Sequence, residues 1–149
     1  MLHLGLVRRG NRAPRRDVAV VAALLFTSLL ACKSQHSVDG TITVNGAPFV
    51  AKQCVVGSLT MNGVTTHSVT LTDATDNRLS FSDSNGVTVS FTPAGGSMEN
   101  GGTGCGVARF SGSVKDPHTL KVQLDVSCRG GGYATVAKAD VTKCGTFGL

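Results

Sequence analysis

Leu120-Lys121-Val122-Gln123-Leu124-Asp125-Val126-Ser127 alternates without a break, apolar at even positions and polar at odd ones. Successive side chains of a strand point to opposite faces, so this stretch is a strand with Leu120, Val122, Leu124 and Val126 on a buried face. Lys121, Gln123, Asp125 and Ser127 then lie on a face in water. Working outward, Tyr133 to Thr142 follows a turn at Arg129 to Gly132, and Gly106 to Val114 precedes a turn at Lys115-Asp116-Pro117-His118. Upstream, Thr41 to Val44 and Pro48 to Val56 flank Asn45-Gly46, a pair suited to a two-residue hairpin. Val64 to Thr72 and Asn77 to Ser82 come next, and Asn85-Gly86 turns the latter onto Val87 to Thr92. Pro93 to Gly104 has no pattern and reads as a surface loop. No stretch carries apolar residues at helical spacing. About eight short strands at turn-marked intervals predict an all-β, antiparallel sandwich or small barrel.

The N-terminus has a different character. Arg8, Arg9, Arg12, Arg15 and Arg16 precede an apolar run, Val18 to Leu30, of 13 residues. A spanning helix needs about 20 apolar residues, so this run is too short and reads as the hydrophobic part of an export signal. It ends in Leu29-Leu30-Ala31-Cys32, and these four residues resemble the lipobox of bacterial lipoproteins. The resemblance implies that residues 1–31 are removed, that Cys32 is acylated, and that 32–38 form a short lipidated tether ahead of one domain, 39–149. It implies a lipid bilayer as partner. Lys33 stands where the family's inner-membrane retention signal has Asp, which implies outer-membrane sorting in the cell envelope. Arg15-Arg16 before the apolar run also resembles a twin-arginine signal, so the export route stays open. Two or three acyl chains at about 0.8 kcal/mol per buried CH₂ would make the attachment effectively permanent.

Removing that signal changes the charge argument. The remaining 118 residues hold 9 basic and 8 acidic side chains, so the basic balance of the whole chain, +5, belongs mostly to the leader. Nothing is left of a clustered basic face, and no nucleic-acid partner is expected. With one Tyr and no Trp, the core must rest on Val, Leu, Phe and Ala.

Five cysteines are an odd set, and lipidation of Cys32 gives the fifth a fate. The other four, Cys54, Cys105, Cys128 and Cys144, are expected to form two disulfides outside the reducing cytosol. None of their spacings is C-x-x-C, which speaks against zinc and redox centres. If Arg129 to Gly132 is a turn, Cys144 lies about ten residues along the return strand, roughly 30 Å from Cys128. Bonded Cα atoms lie within about 7 Å, so that pair is disfavoured. The hairpin around Asp116-Pro117 instead brings Cys105 to Cys128 and leaves Cys54 for Cys144. Its register is contested: one choice sets Phe110 opposite Gln123, and a one-residue shift aligns Phe110 with Leu124 and Val114 with Leu120. A bulge at Gly104 or Gly106 would satisfy both.

No catalytic or metal motif stands out. His36 lies in the tether, His67 in a Thr-rich strand and His118 beside Pro117. Ser68 follows His67 directly, but neighbours in a strand face opposite ways and cannot work as a pair. Ser111-Gly112-Ser113 lacks the strand-to-helix setting of a nucleophile elbow. Asp73, Asp76 and Asn77, or Asp83 and Asn85, fall short of a calcium loop and read as turn residues. Gly101-Gly102 and Gly130-Gly131-Gly132 open no helix that would hold a phosphate. The expected role is therefore a structural or binding accessory of the envelope, without cofactor and not an enzyme. The rivals are a hydrolase, which would need His67 or His118 gathered with an acid, and a subunit of an envelope complex, whose sign would be an uncovered apolar strand edge.

Overall fold

The structure, a computed structural model, describes residues 36–84, 86–113, 116 and 119–146. Eleven strands form two sheets, the all-β sandwich expected, and the assembly is not a closed barrel. One sheet orders β2 (Ala47–Pro48), β1 (Ser37–Val44), β10 (Tyr133–Thr142), β9 (Lys121–Gly130) and β8 (Gly106–Ser111). The other orders β11 (Gly145–Thr146), β3 (Gln53–Met61), β4 (Val64–Thr72), β5 (Arg78–Ser82), β6 (Thr88–Thr92) and β7 (Glu99–Thr103). All neighbours are antiparallel except β11 on β3. Pairing begins at Ser37, two residues before the expected domain start at Asp39. Among the described residues no helix is long and apolar enough to cross a membrane.

Alternation decides which face is covered. Val122, Leu124, Val126 and Cys128 of β9 are buried while the residues between them are exposed, and β10 repeats the pattern with Thr135, Ala137, Ala139 and Val141. From the other sheet come Val56, Val69, Leu71, Leu79, Phe81, Val89 and Phe91, and all of these join one core. The outer face of that sheet is wetted mainly by hydroxyls: Ser68, Thr70 and Thr72 of β4 stand level with Ser82, Ser80 and the one charged residue of this set, Arg78. Thr70 and Ser80 share a hydrogen bond of 2.8 Å.

The strands of the two sheets run across one another, as in orthogonal packing. Cys54, Leu71, Leu79 and Phe91 form one row across β3 to β6. At one end of the row Cys54 bonds to Cys144 just past β10, and at the other the Phe91 ring lies 4.4 Å from that of Tyr133, the first residue of β10. The chain changes sheet three times, over Phe49 to Lys52, at Gly104-Cys105 and at Lys143-Cys144. Both disulfides sit at these crossings. Cys54–Cys144 (Cα–Cα 4.8 Å) ties the first to the third, and Cys105–Cys128 (5.1 Å) pins the second. Lys143 adopts a positive φ of 58° to make its turn.

Three expectations need correction. Asn45-Gly46 does turn the chain, but its return strand is only Ala47–Pro48: one further bond, from the Phe49 N–H to the Ile42 carbonyl at 2.8 Å, follows before the chain leaves for the other sheet. The strand expected to start at Pro48 begins at Gln53, in the other sheet, and runs on to Met61. Asn62-Gly63, with φ of 51° and 77°, is the turn that joins it to β4.

The second correction is the Pro93 to Gly104 loop, which contains β7. Its glycines erase the alternation because the backbones meet there: a Cβ on Gly102 would lie 3.0 Å from the Arg129 carbonyl, and one on Gly130 2.6 Å from that of Asn100. Close approach explains Gly101, Gly102, Gly130 and Gly131, whereas Gly132, with open space around it, serves the turn through its φ of 80°.

The third concerns register. Phe110 pairs with Val122 and Ala108 with Leu124, which is neither of the two alignments weighed. It puts apolar residues on the core face, as burial demands. Cys105 is left level with Ser127, whose N–H donates to its carbonyl at 2.9 Å, and reaches Cys128 diagonally. Gly104 and Gly106, at φ of 67° and 146°, supply the local irregularity.

One buried polar atom stands out. Thr135 is fully buried and its Oγ1 has no hydrogen-bond partner among the described residues. An unpaired buried hydroxyl costs about 1–3 kcal/mol. Thr135→Val keeps the shape and removes the cost, so urea titration should find the variant more stable by about 1 kcal/mol; a loss of stability would show that the hydroxyl is paired in solution.

Candidate functional site

The β3–β4 hairpin reaches beyond its own sheet. Pairing of β4 with β5 stops at Ser68 and Ser82, whereas β3 and β4 stay paired out to Met61 and Val64. Among the described residues, Ser58 to Thr66 is therefore an arm supported by no third strand of that sheet. Leu59, Met61 and Val64 share its outer face and are 62, 63 and 68% exposed. From Gly57 to Thr66 the arm has no charged residue. Three large apolar side chains so exposed on one short hairpin are not solubilising, and a contiguous apolar patch on a surface commonly marks an interaction site.

The base of the arm is held by His67. Its Nδ1 lies 2.9 Å from Asp83 Oδ2, its backbone N–H donates to Asp83 Oδ1 at 2.7 Å, and its ring stacks on Phe110 with centroids 5.5 Å apart. Asp83 N–H in turn donates to the His67 carbonyl at 3.1 Å, which finishes the β4–β5 ladder. The aromatic contact lays the arm over β8, the edge strand of the first sheet. Val38, Val141, Val122 and Phe110 form a row across that sheet, so the chain's entry at β1 and the arm lie at its opposite edges.

Ser58 stands directly opposite His67 on the same face. His67 thus lies between Ser58, its partner across the β3–β4 pair, and Asp83, 16 residues on in the chain, an arrangement that the sequence does not show because the strand read there ends at Val56. Ser68 is on the other face, as alternation requires. His36 Nε2 lies 3.1 Å from the Ala51 carbonyl. His118 and Asn85 lie outside the described residues, as does Cys32.

The acidic turn residues are occupied locally. Asp73 accepts from the Thr75 N–H and hydroxyl at 2.8 and 2.9 Å and from the Asn77 N–H and side-chain amide at 3.0 and 2.8 Å. Among the described residues no group of three or more His, Cys, Asp or Glu side chains is placed to hold a metal ion. Burial acts to raise the Asp73 pKa, but the bonds from Asn77 and Thr75 outweigh it and hold the carboxyl below its ordinary 3.8. A depressed carboxylate gives stability that is fully present above the unfolded pKa and is lost as pH falls through the folded one, here below about pH 4. Asp73→Ala should cost about 1–2 kcal/mol near pH 7 by urea titration, and less at about pH 2. An equal loss at both values would show that the charge does not matter.

On the outer face of the first sheet a shallow depression of about 300 Å³ is lined by Asp39, Arg109, Gln123, Asp125, Lys138 and Asp140. Lys121 pairs with Asp140 at 2.8 Å. Basic and acidic groups balance there, so the depression selects no ion of either sign.

Comparison with known protein families, with characterised proteins and with solved structures finds no match to this chain.

Proposed function

We propose that this chain is an exported, lipid-anchored lipoprotein of the cell envelope, sorted to the outer membrane, which works as an assembly or binding accessory and docks through the β3–β4 arm. The observation that carries the docking is the exposure of Leu59, Met61 and Val64 on a hairpin without charge. Two disulfides fit an oxidising compartment, and the odd fifth cysteine, Cys32 after Leu29-Leu30-Ala31, fits an acylation site. Within the domain the chain enters at β1, and the arm lies over the opposite edge of that sheet, at β8.

Labelling tests the anchor. Full chain grown with radiolabelled palmitate should take up label and fractionate with membranes, and Cys32→Ser should do neither. Label in neither form, with both in the membrane fraction, would sink the reading.

A second reading rests on Ser58, His67 and Asp83. A carboxylate at Nδ1 orients a histidine as a general base, and a serine on the opposite strand is a conceivable nucleophile. Against it, Asp83 also bonds the His67 backbone and so serves as a ladder terminus. A fluorophosphonate probe separates the two: the accessory reading expects no labelling of Ser58, and labelling lost in both Ser58→Ala and His67→Ala would establish the hydrolase.

A further inference from the structure

We infer that the occupant of the arm is a second copy of this chain, joined edge to edge along β3 about a twofold axis. The inference rests on the docking role of the arm and specifies its partner. In a two-residue hairpin the residues flanking the turn, Met61 and Val64, bond each other, and antiparallel ladders then alternate. Thr60 and Thr65 are accordingly a pair without ladder bonds, and their hydroxyls meet at 2.9 Å. The backbone N–H and C=O groups of Ser58 and Thr60 therefore point away from β4. Among the described residues β11 covers β3 only at Val55 and Val56, and Ser58 to Met61 are exposed.

The β4 side of the arm offers only Thr65 before Asp83 takes the outward backbone groups of His67, β1 beyond β2 carries Asp39, and the outermost strands elsewhere have features that block further pairing. β2 and β11 are two residues long, and β2 contains Pro48. β7 begins at Glu99 and has a register break opposite Val89 and Ser90. β8 places Arg109 at its centre. Between Gly57 and Met61 there is no charge, no proline and no break in register. Among the described residues this edge is open by geometry, and its composition does nothing to close it.

The segment Ser58-Leu59-Thr60, hydroxyl–apolar–hydroxyl, keeps its pattern when reversed. An antiparallel pair centred on Leu59 sets Ser58 of each copy against Thr60 of the other, so the outward backbone groups exchange four hydrogen bonds. Leu59 faces Leu59, and with Met61 and Val64 of both copies it makes one apolar stripe. Hydroxyls meet hydroxyls on the reverse face. No charge is present to select a different strand or to repel an identical one.

The register makes the test specific. At the centre of such a pair the Leu59 Cα atoms lie about 4.5 Å apart, within disulfide reach, whereas two residues away they diverge. Full-length Leu59→Cys, oxidised in membranes and run without reductant, should migrate as a linked dimer, and Met61→Cys should not. Adding Thr60→Pro, which removes an N–H that β4 does not use, should abolish the link while protease resistance is kept; Thr60→Lys serves the same purpose should the proline unfold the arm. A link from Leu59→Cys to a chain of different mass would overturn the second-copy inference and leave the docking role standing. No link of any kind from either cysteine would overturn both.

Discussion

Replacing Cys54 and Cys144 together by alanine should lower unfolding stability by about 4–5 kcal/mol, more than any other change considered. A cross-link acts mainly by restricting the unfolded chain, and the restriction grows with the loop it closes. Here the partners are 90 residues apart, whereas Cys105 and Cys128 are 23 apart, for which the same relation gives about 3–3.5 kcal/mol. Marginal domains are stable by about 5–15 kcal/mol in total. The first variant should therefore be near the limit of folding, and the second clearly folded but weakened. The location of the long bridge points the same way, since it holds the chain where it enters the second sheet and where it returns to it. Urea titrations of the two double variants beside the parent decide the matter; a Cys105/Cys128 variant that is the weaker of the two would show that loop length is not what counts.

The second large effect belongs to the core. Phe81 is the largest fully buried side chain, paired with Val69 on one side and Val89 on the other. Phe81→Ala should cost about 3–5 kcal/mol, the transfer term plus the cavity left where neither sheet can collapse freely. Leu59→Ala is the matched control. Its side chain is 62% exposed, so truncation should change monomer unfolding by no more than about 0.5 kcal/mol. A comparable loss at both positions would mean that the arm is packed against its own domain and is not open for docking.

The strands legible from sequence were those with core on one face over at least half of their length. Val64 to Thr72 and Tyr133 to Thr142 match β4 and β10 at both ends, because period-two alternation is the direct imprint of a sheet with core on one side. β7 escaped notice for an opposite reason: Gly101 and Gly102 carry no side chains to alternate, and their absence is what lets β7 approach β9. The outer half of β3 was missed although Asn62-Gly63 is the same dipeptide as Asn45-Gly46. Ser58 and Thr60 face water on one side, Leu59 and Met61 face it on the other, and the stretch has no burial contrast to read.

The amino-acid sequence by itself determined the strand class and the buried face of each regular strand, and through the spans of the last two hairpins it pointed to the cysteines that bond. Those are local matters, set by side-chain period and by how far a chain of given length can reach. Sheet order, the crossing of the two sheets and the His67–Asp83 contact were decided only by tertiary structure, since each depends on strands distant in the chain. The bare edge of the arm belongs with them. Alternation says which residues share a face, but whether that face or edge is covered depends on every other strand, and beside Ser58 to Met61 no described strand is there to cover it.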